Sequence, residues 1–322
     1  MKREDVRFFD AHVHFTTSRP IETVIAEFEA TFAMAGTKKA CFMSLTNSTD
    51  NVNNPKQNEY AMLLKRHFGG YAYAGLLYDE SLDAAAQAEA LVEQAKKYAR
   101  EGFDGIKMME GKPNIRRRTG KMLSDPMYDP FYSYMEESGM PITLHNADPA
   151  IFWDREKVGA YAISRGWFAD ESLPSKDEMH KDVLCVMEKH PRLALTLAHF
   201  GFLGHSVDEA ELFLSRYENT RFDITPGGEQ YFLMKEDVAR WVAFLEKYAH
   251  RIKYGTDTGS LALDMENREY HVRCRADLAW YFFATEGEEH VYDNTAYTGI
   301  KLSDAAVRAI FEENAERDLG RK

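Results

Sequence analysis

Two histidines one residue apart, His12 and His14, close an apolar N-terminal run, V-R-F-F-D-A-H-V-H-F. Three later apolar runs end in L-H at His145, A-H at His199 and G-T-D at Asp257. Side chains two apart on a β-strand project from the same side, so His12 and His14 can reach one ion together. Neutral imidazole is a common ligand for zinc and also suits iron, nickel and copper, and a short rigid strand holds such geometry well. Four strand ends carrying ligand chemistry are read as one site.

For those ends to converge, the strands must be parallel and closed on one another. Apolar runs over 6–15, 39–45, 71–77, 105–109, 141–145, 193–199, 221–225 and 251–256 alternate with amphipathic helical stretches, a rhythm that predicts a single (β/α)8 TIM barrel over 1–322. In such barrels the catalytic groups come from the C-terminal ends of different strands, the place His12, His14, His145, His199 and Asp257 all occupy in these runs. Helix punctuation agrees: Ser206-x-x-Glu209 reads as a capping box, and Gly36 and Gly69-Gly70 read as stops. Two further helices are expected at 267–285 and 303–319, so that 267–319 supplies the last outer helix and a C-terminal closure.

One connection is wider than the rest. The stretch 147–175 after the fifth strand is an aromatic-rich insertion, and long βα loops are usually functional. Its Phe152, Trp153, Tyr161, Trp167 and Phe168 either line a pocket over the barrel mouth or form a small core of their own.

Composition narrows the function classes. Hydrophobic residues at 44% and charged residues at 29% are those of a folded globular chain. A net charge of -12 argues against nucleic acid and anionic membrane as partners but says nothing about the substrate, which is expected to be a small molecule. Cys41, Cys185 and Cys274 are scattered and odd in number, so neither a disulfide framework nor a cysteine metal site is indicated. The N-terminus lacks the apolar core of a signal peptide and no stretch is long enough to span a membrane, so a cytoplasmic setting is expected. A homodimer is expected only because dimers are the commonest assembly.

Further candidates lie near the expected rim. Lys107 ends the fourth strand in G-F-D-G-I-K and offers a cation to an anionic or carbonyl substrate group, or else snorkels at the rim. Arg116, Arg117 and Arg118 follow on the next loop, where they would grip a carboxylate or lie in solvent. T-P-G-G-E-Q-Y-F places Glu229 and Tyr231 near the rim after the seventh strand. Trp153 is the candidate substrate contact from the insertion. Motifs of other enzyme classes (G-x-S-x-G, G-x-G-x-x-G, H-E-x-x-H, the P-loop) do not occur, so metal-assisted chemistry is what remains.

The segments F-D-A-H-V-H, G-I-K, T-L-H-N, L-A-H-F-G, Y-G-T-D-T and I-F-E-E-N-A-E-R-D-L-G, taken in order, resemble the amidohydrolase superfamily. Within it they look most like the amidohydrolase-related group that also holds metal-dependent decarboxylases. The resemblance implies a divalent metal, usually zinc, held at His12, His14, His145 and Asp257. It also implies that His199 binds a second metal or polarises substrate, and that a carbamylated Lys107 would bridge two metals in binuclear members. Three imidazoles and one carboxylate leave a coordination position for water, with Asp257 the nearest group to accept its proton.

Three functions are therefore carried forward. The first is hydrolysis of an amide, lactone or related C–N or C–O bond in a small anionic substrate, with His199 stabilising the oxyanion. The second is non-oxidative decarboxylation of a carboxylated aromatic or enol on the same site. The third is a barrel that binds ligand without turnover.

Overall fold

Eight short parallel strands form the wall of the molecule in the computed structural model, which describes residues 1–226, 230–292 and 295–319. They are β1 (Phe9–Val13), β2 (Lys39–Met43), β3 (Tyr71–Gly75), β4 (Gly105–Gly111), β5 (Ile142–Asn146), β6 (Leu195–Leu197), β7 (Thr220–Asp223) and β8 (Ile252–Lys253). Each pairs with the next in chain order. The circle closes where Val13 bridges Thr258, Ala11 N–H donates to Tyr254 O at 3.0 Å and Asp257 N–H donates to His12 O at 2.9 Å. The expected (β/α)8 barrel is thus the observed architecture.

The strands are buried on both faces, so they read as apolar runs rather than alternations. Their outward side packs under the surrounding helices, as where the Phe8 ring meets Tyr254, Trp280 and Phe311 edge-on at 5.6 to 5.7 Å. The helices begin and end where the sequence punctuates them. Ser206 Oγ accepts from Glu209 N–H at the start of Val207–Arg216, and Gly36 ends Ile21–Ala35 in the left-handed region at φ 76°.

Several expected boundaries move. β1 is shorter than 6–15 and β6 shorter than 193–199, because the chain turns left-handed at His199 instead of continuing extended. β8 keeps two residues of 251–256, since Gly255 to Thr258 bend across the end of β1. The expected helices at 267–285 and 303–319 are seen as Arg268–Ala284 and as Asp304–Leu319 with a π turn at Ala309–Glu313. Between them stands a hairpin that the sequence reading did not foresee, β9 (Glu286–Tyr292) against β10 (Thr295–Ile300), antiparallel. The insertion at 147–175 holds only a 3-10 turn, Ala150–Trp153, and a short helix, Ala160–Ser164. No helix among the described residues is long and apolar enough to cross a membrane.

The last helix closes one end. Ala315 and Leu319 join Phe9, Ala11, Cys41, Met43 and Tyr73 in one buried cluster inside the strands, leaving the C-terminal ends as the open mouth.

Candidate metal centre

The spacing of His12 and His14 does what the strand period requires. Their Nε2 atoms face each other at 3.0 Å, and Asp257 Oδ1 stands 3.3 Å from the Nε2 of His14 and 3.9 Å from that of His12. What each ring does with its other nitrogen fixes the tautomer. His12 Nδ1 faces the Asp223 carboxylate at 2.9 Å, and His14 Nδ1 faces the Met43 carbonyl at 2.8 Å. Both partners only accept, so each Nδ1 carries the proton and each Nε2 presents a lone pair. Two lone pairs aimed at each other repel unless something positive lies between them. The donor set of two imidazole nitrogens and one carboxylate oxygen, all within 4.8 Å of one another, fits a divalent cation.

Backbone strain gathers at the same place. His199 (φ 54°), Phe200 (φ 55°), Phe202 (φ 54°) and Asp257 (φ 54°) are left-handed although none is glycine, and so is Ala147 (φ 63°) after β5. Each such residue costs about 1–3 kcal/mol and persists only where its surroundings over-determine it. Asp10 supplies part of that determination. Its carboxyl accepts from Thr256 Oγ1 at 2.6 Å, Thr256 N–H at 3.0 Å and His12 N–H at 3.2 Å, which ties the G-T-D turn to β1. Gly255 lets the two chains approach, because a Cβ there would stand 2.8 Å from the Cβ of His12 and 2.6 Å from Thr225 Cγ2.

His145 and His199 sit beside the trio rather than in it. Their rings lie 4.8 Å apart, and His199 stacks on Phe202 at 5.2 Å and stands 5.5 Å from His12. His145 Nε2 faces Asp148 Oδ1 at 3.1 Å, and the same carboxylate oxygen accepts from Lys112 Nζ. Thr225 Oγ1 donates to Asp223 Oδ1 at 2.5 Å, so its lone pair is left to accept from His199 Nδ1 at 3.1 Å. His199 therefore presents Nε2 as an acceptor. Trp167 lies over Lys112 at 5.0 Å and stacks on Phe152 at 5.9 Å, so the aromatic insertion packs partly on itself and partly over this corner.

Burial sets the charges. It pulls His12 and His199 down to about 3 and His145 well below the ordinary histidine value, with the nearby Lys107 adding to the effect at all three, so these rings are neutral near pH 7. Burial pushes the Asp223 and Asp257 carboxyls up, but their partners outweigh it. His12, His199 and Thr225 hold Asp223 low, while His14, His199 and Arg275 hold Asp257 low. Lys107 is brought down to about 8 by burial, against the pull of Asp223 and Asp257. Asp10 is pushed up to about 7 by burial despite its hydrogen bonds.

The remaining candidates separate. Lys107 reaches the centre, its Nζ donating to His12 Nε2 at 3.0 Å. Arg116 turns inward instead of toward the mouth and forms a buried pair with Asp182 at 2.8 Å, plus a bond to Asn146 at 3.1 Å. Arg117 is exposed and pairs with Asp170, and Arg118 is exposed with a long contact to Asn47. Trp153 donates from Nε1 to Pro174 O and packs with Ala147, Met179 and Phe202, next to His199. Tyr231 is fully buried against Phe282 and Phe283, its hydroxyl bonded to Ile224 O, so it belongs to the core and not to the rim. Glu229 lies outside the described residues. Sequence reasoning missed Asp223, Asp148, Lys112 and Asp10. The D-A-H of Asp10 and the strand-end position of Asp223 were signals available for two of them.

A family model described as amidohydrolase matches residues 9–321. No curated protein matches the chain. Among solved structures, the chain is similar to 2,6-dihydroxybenzoate decarboxylase from Rhizobium (15% identity, TM-score 0.57, 98% of this chain and 99% of that one). It is similar to dihydroorotase from Campylobacter jejuni (13%, TM-score 0.51, 98% and 84%). A dihydroxybenzoic acid decarboxylase from Polaromonas sp. JS666 with bound manganese and the inhibitor 2-nitroresorcinol is a third (14%, TM-score 0.55, 98% and 98%). At these identities the structures share the fold.

Proposed function

The chain belongs to the amidohydrolase family, whose members are metal-dependent enzymes, and on that footing we propose that it hydrolyses a small anionic substrate at an amide, lactone or related C–N or C–O bond. His12, His14 and Asp257 would hold one divalent cation, with His145 as the further ligand. Zinc suits this nitrogen and oxygen donor set, and manganese is the alternative. The observation that carries the reading is the pair of Nε2 lone pairs facing each other at 3.0 Å with their outer nitrogens committed to Asp223 and Met43. A second cation would need a carbamylated Lys107; here its ammonium meets the lone pair of His12 directly.

A cation in that position supplies Lewis acidity, lowering the pKa of a water toward 7 and polarising a carbonyl. The protein's own groups divide the rest. Asp257, kept ionised and backed by Arg275 at 3.4 Å from Oδ2, is placed to take the proton of the attacking water. His199 was expected to steady the oxyanion, which needs a donor. Its tautomer makes Nε2 an acceptor and burial opposes protonation, so we assign it instead to serve as a further ligand or to accept a hydrogen bond from water or substrate. Lys107 and Lys112 form the cationic wall that favours an anionic substrate, with Trp167 shielding Lys112 from water.

Decarboxylation is the second reading. The same cations beside the flat wall of His199 on Phe202 suit a planar carboxylated aromatic whose carboxylate is lost as carbon dioxide. Both readings are tested by elemental mass spectrometry on protein purified without chelator, followed by a panel of amides, lactones and hydroxybenzoates. About one metal per chain in the wild type, lost in His12→Ala and His14→Ala, is expected. Acid release then supports hydrolysis and carbon dioxide release supports decarboxylation. A metal-free wild type, or His12→Ala with unchanged metal and turnover, defeats both. Binding of a panel compound recovered unchanged would leave the non-catalytic barrel.

A further inference from the structure

At the opposite end of the barrel lies a cavity of about 400 Å³. Its wall includes the residues that immediately precede four strands: Asp104 before β4, Pro141 before β5, Ala194 before β6 and Asn219 before β7. Deeper in, Tyr73 of β3, Thr196 of β6 and Lys253 of β8 reach it from inside the barrel. In TIM barrels this face ordinarily serves stability, and an apolar plug would fill it. Here the lining mixes apolar residues with two carboxylates, Asp104 and Asp318, and two cations, Arg221 and Lys253, and the last of these meets neither carboxylate.

Both carboxylates on the wall are already taken. Asp104 pairs with Lys65 at 2.6 Å and accepts from Ala72 N–H at 3.0 Å, while Asp318 pairs with Arg221 at 2.5 Å and with Arg317 at 3.4 Å. Lys253 is left over. It is only 3% exposed, and its Nζ donates to Thr196 Oγ1 at 2.9 Å, with no carboxylate within 4 Å among the described residues. The charged groups that act on it from farther away are Asp318, Arg221 and Asp223, and the last is committed to His12 and Thr225. Burying an unpaired ammonium costs several kcal/mol. Tyr73, 1% exposed, lines the same space, and its hydroxyl has no hydrogen-bond partner among the described residues.

We propose that this cavity binds a small oxyanion, a carboxylate or phosphate, on the Lys253 ammonium with the Tyr73 and Thr196 hydroxyls beside it. An oxygen anion supplies the acceptors that these donors lack and the charge that Lys253 lacks. The site is built from strand starts and the last helix, so it does not depend on the reaction at the mouth.

The test is calorimetric titration of the full chain with sodium acetate and with inorganic phosphate at constant ionic strength. Lys253→Met, Tyr73→Phe and, at the other end of the barrel, Lys107→Met are compared with the wild type. Lys253→Met is expected to weaken binding about 10–100-fold, as losing a hydrogen bond to a charged group does, and Tyr73→Phe by a smaller factor. Lys107→Met is expected to leave unchanged the binding component that Lys253→Met weakens. The tighter of the two anions identifies the class of ligand. Lys253→Met should also melt higher than the wild type without anion, with the gap closing as anion is added. Failure of the wild type to bind either anion overturns the proposal, and so does Lys253→Met binding as the wild type does. Should Lys253→Met not fold, Tyr73→Phe with undiminished affinity overturns it equally.

Discussion

Asp223→Asn tests whether the centre is governed from behind. The Asp223 carboxylate meets His12 Nδ1 through one oxygen at 2.9 Å, and through the other it accepts from His199 N–H at 2.8 Å and Thr225 Oγ1 at 2.5 Å. An amide of the same shape cannot serve both sides. If its NH2 faces His12, the ring must move its proton to Nε2 and loses the lone pair aimed at the centre. If its NH2 faces His199 N–H and Thr225 N–H, donors confront donors in a buried space. Removing the partner that orients a ligating histidine typically weakens metal affinity about 10–100-fold, or about 1.4–2.7 kcal/mol. The buried mismatch should lower stability by about 1–3 kcal/mol. Competition against a chelator of known affinity reads the first quantity and denaturant titration of metal-free protein reads the second. In the His12→Ala background, Asp223→Asn should change metal affinity little further, because its route to the ion is gone. Wild-type metal affinity in Asp223→Asn would refute the reasoning.

Three more outcomes are expected. In metal-free protein, His12 and His199 are held neutral by burial, so their contribution to stability is present above the free-histidine value of 6.5 and is lost as pH falls toward about 3. At pH 5 that is roughly 2 kcal/mol for each ring, and denaturant midpoints that do not fall between pH 7 and 5 would contradict it. Gly255→Ala drives a methyl into Thr225 and the Cβ of His12, so bound metal should drop together with about 1–3 kcal/mol of stability, measured by elemental analysis and thermal melting. Arg116→Ala strands buried Asp182 and should cost about 3–5 kcal/mol, whereas KM of the folded fraction should stay near the wild-type value. A raised KM without lost stability would restore Arg116 to substrate binding.

The barrel was legible because parallel strands buried on both faces write themselves as apolar runs, and because a His-x-His pair within such a run falls on one face of the strand. The ends of β6 and β8 were not, since a left-handed residue such as His199 or Asp257 carries no local signature when it is not glycine. Arg116 and Tyr231 show a second limit. Residue type and loop position suggested the rim, yet both side chains turn inward, and direction is decided by partners far away in sequence, Asp182 for one and Phe282 for the other. The hairpin β9–β10 is rich in charge and turn residues, E-G-E-E-H and D-N, which hid its alternation.

Asp223 explains why those hidden partners matter more than the ligands the motif announces. It lies in register with Lys253 on the neighbouring strand, and it is among the carboxylates that counter both buried lysines of the barrel interior, Lys107 toward the mouth and Lys253 toward the closed end. One carboxylate thus fixes the tautomer of His12, anchors the left-handed turn at His199 and offsets two cations. It is engaged at short range only on the mouth side. Its charge reaches Lys253 through space but no oxygen of it reaches the ammonium, so the interior is electrostatically satisfied at one end and short of an acceptor at the other. A carboxylate held behind His12 and His199 would pre-organise these proposed ligands before any ion arrives, while Lys253, in register with it, keeps only the Thr196 hydroxyl at short range.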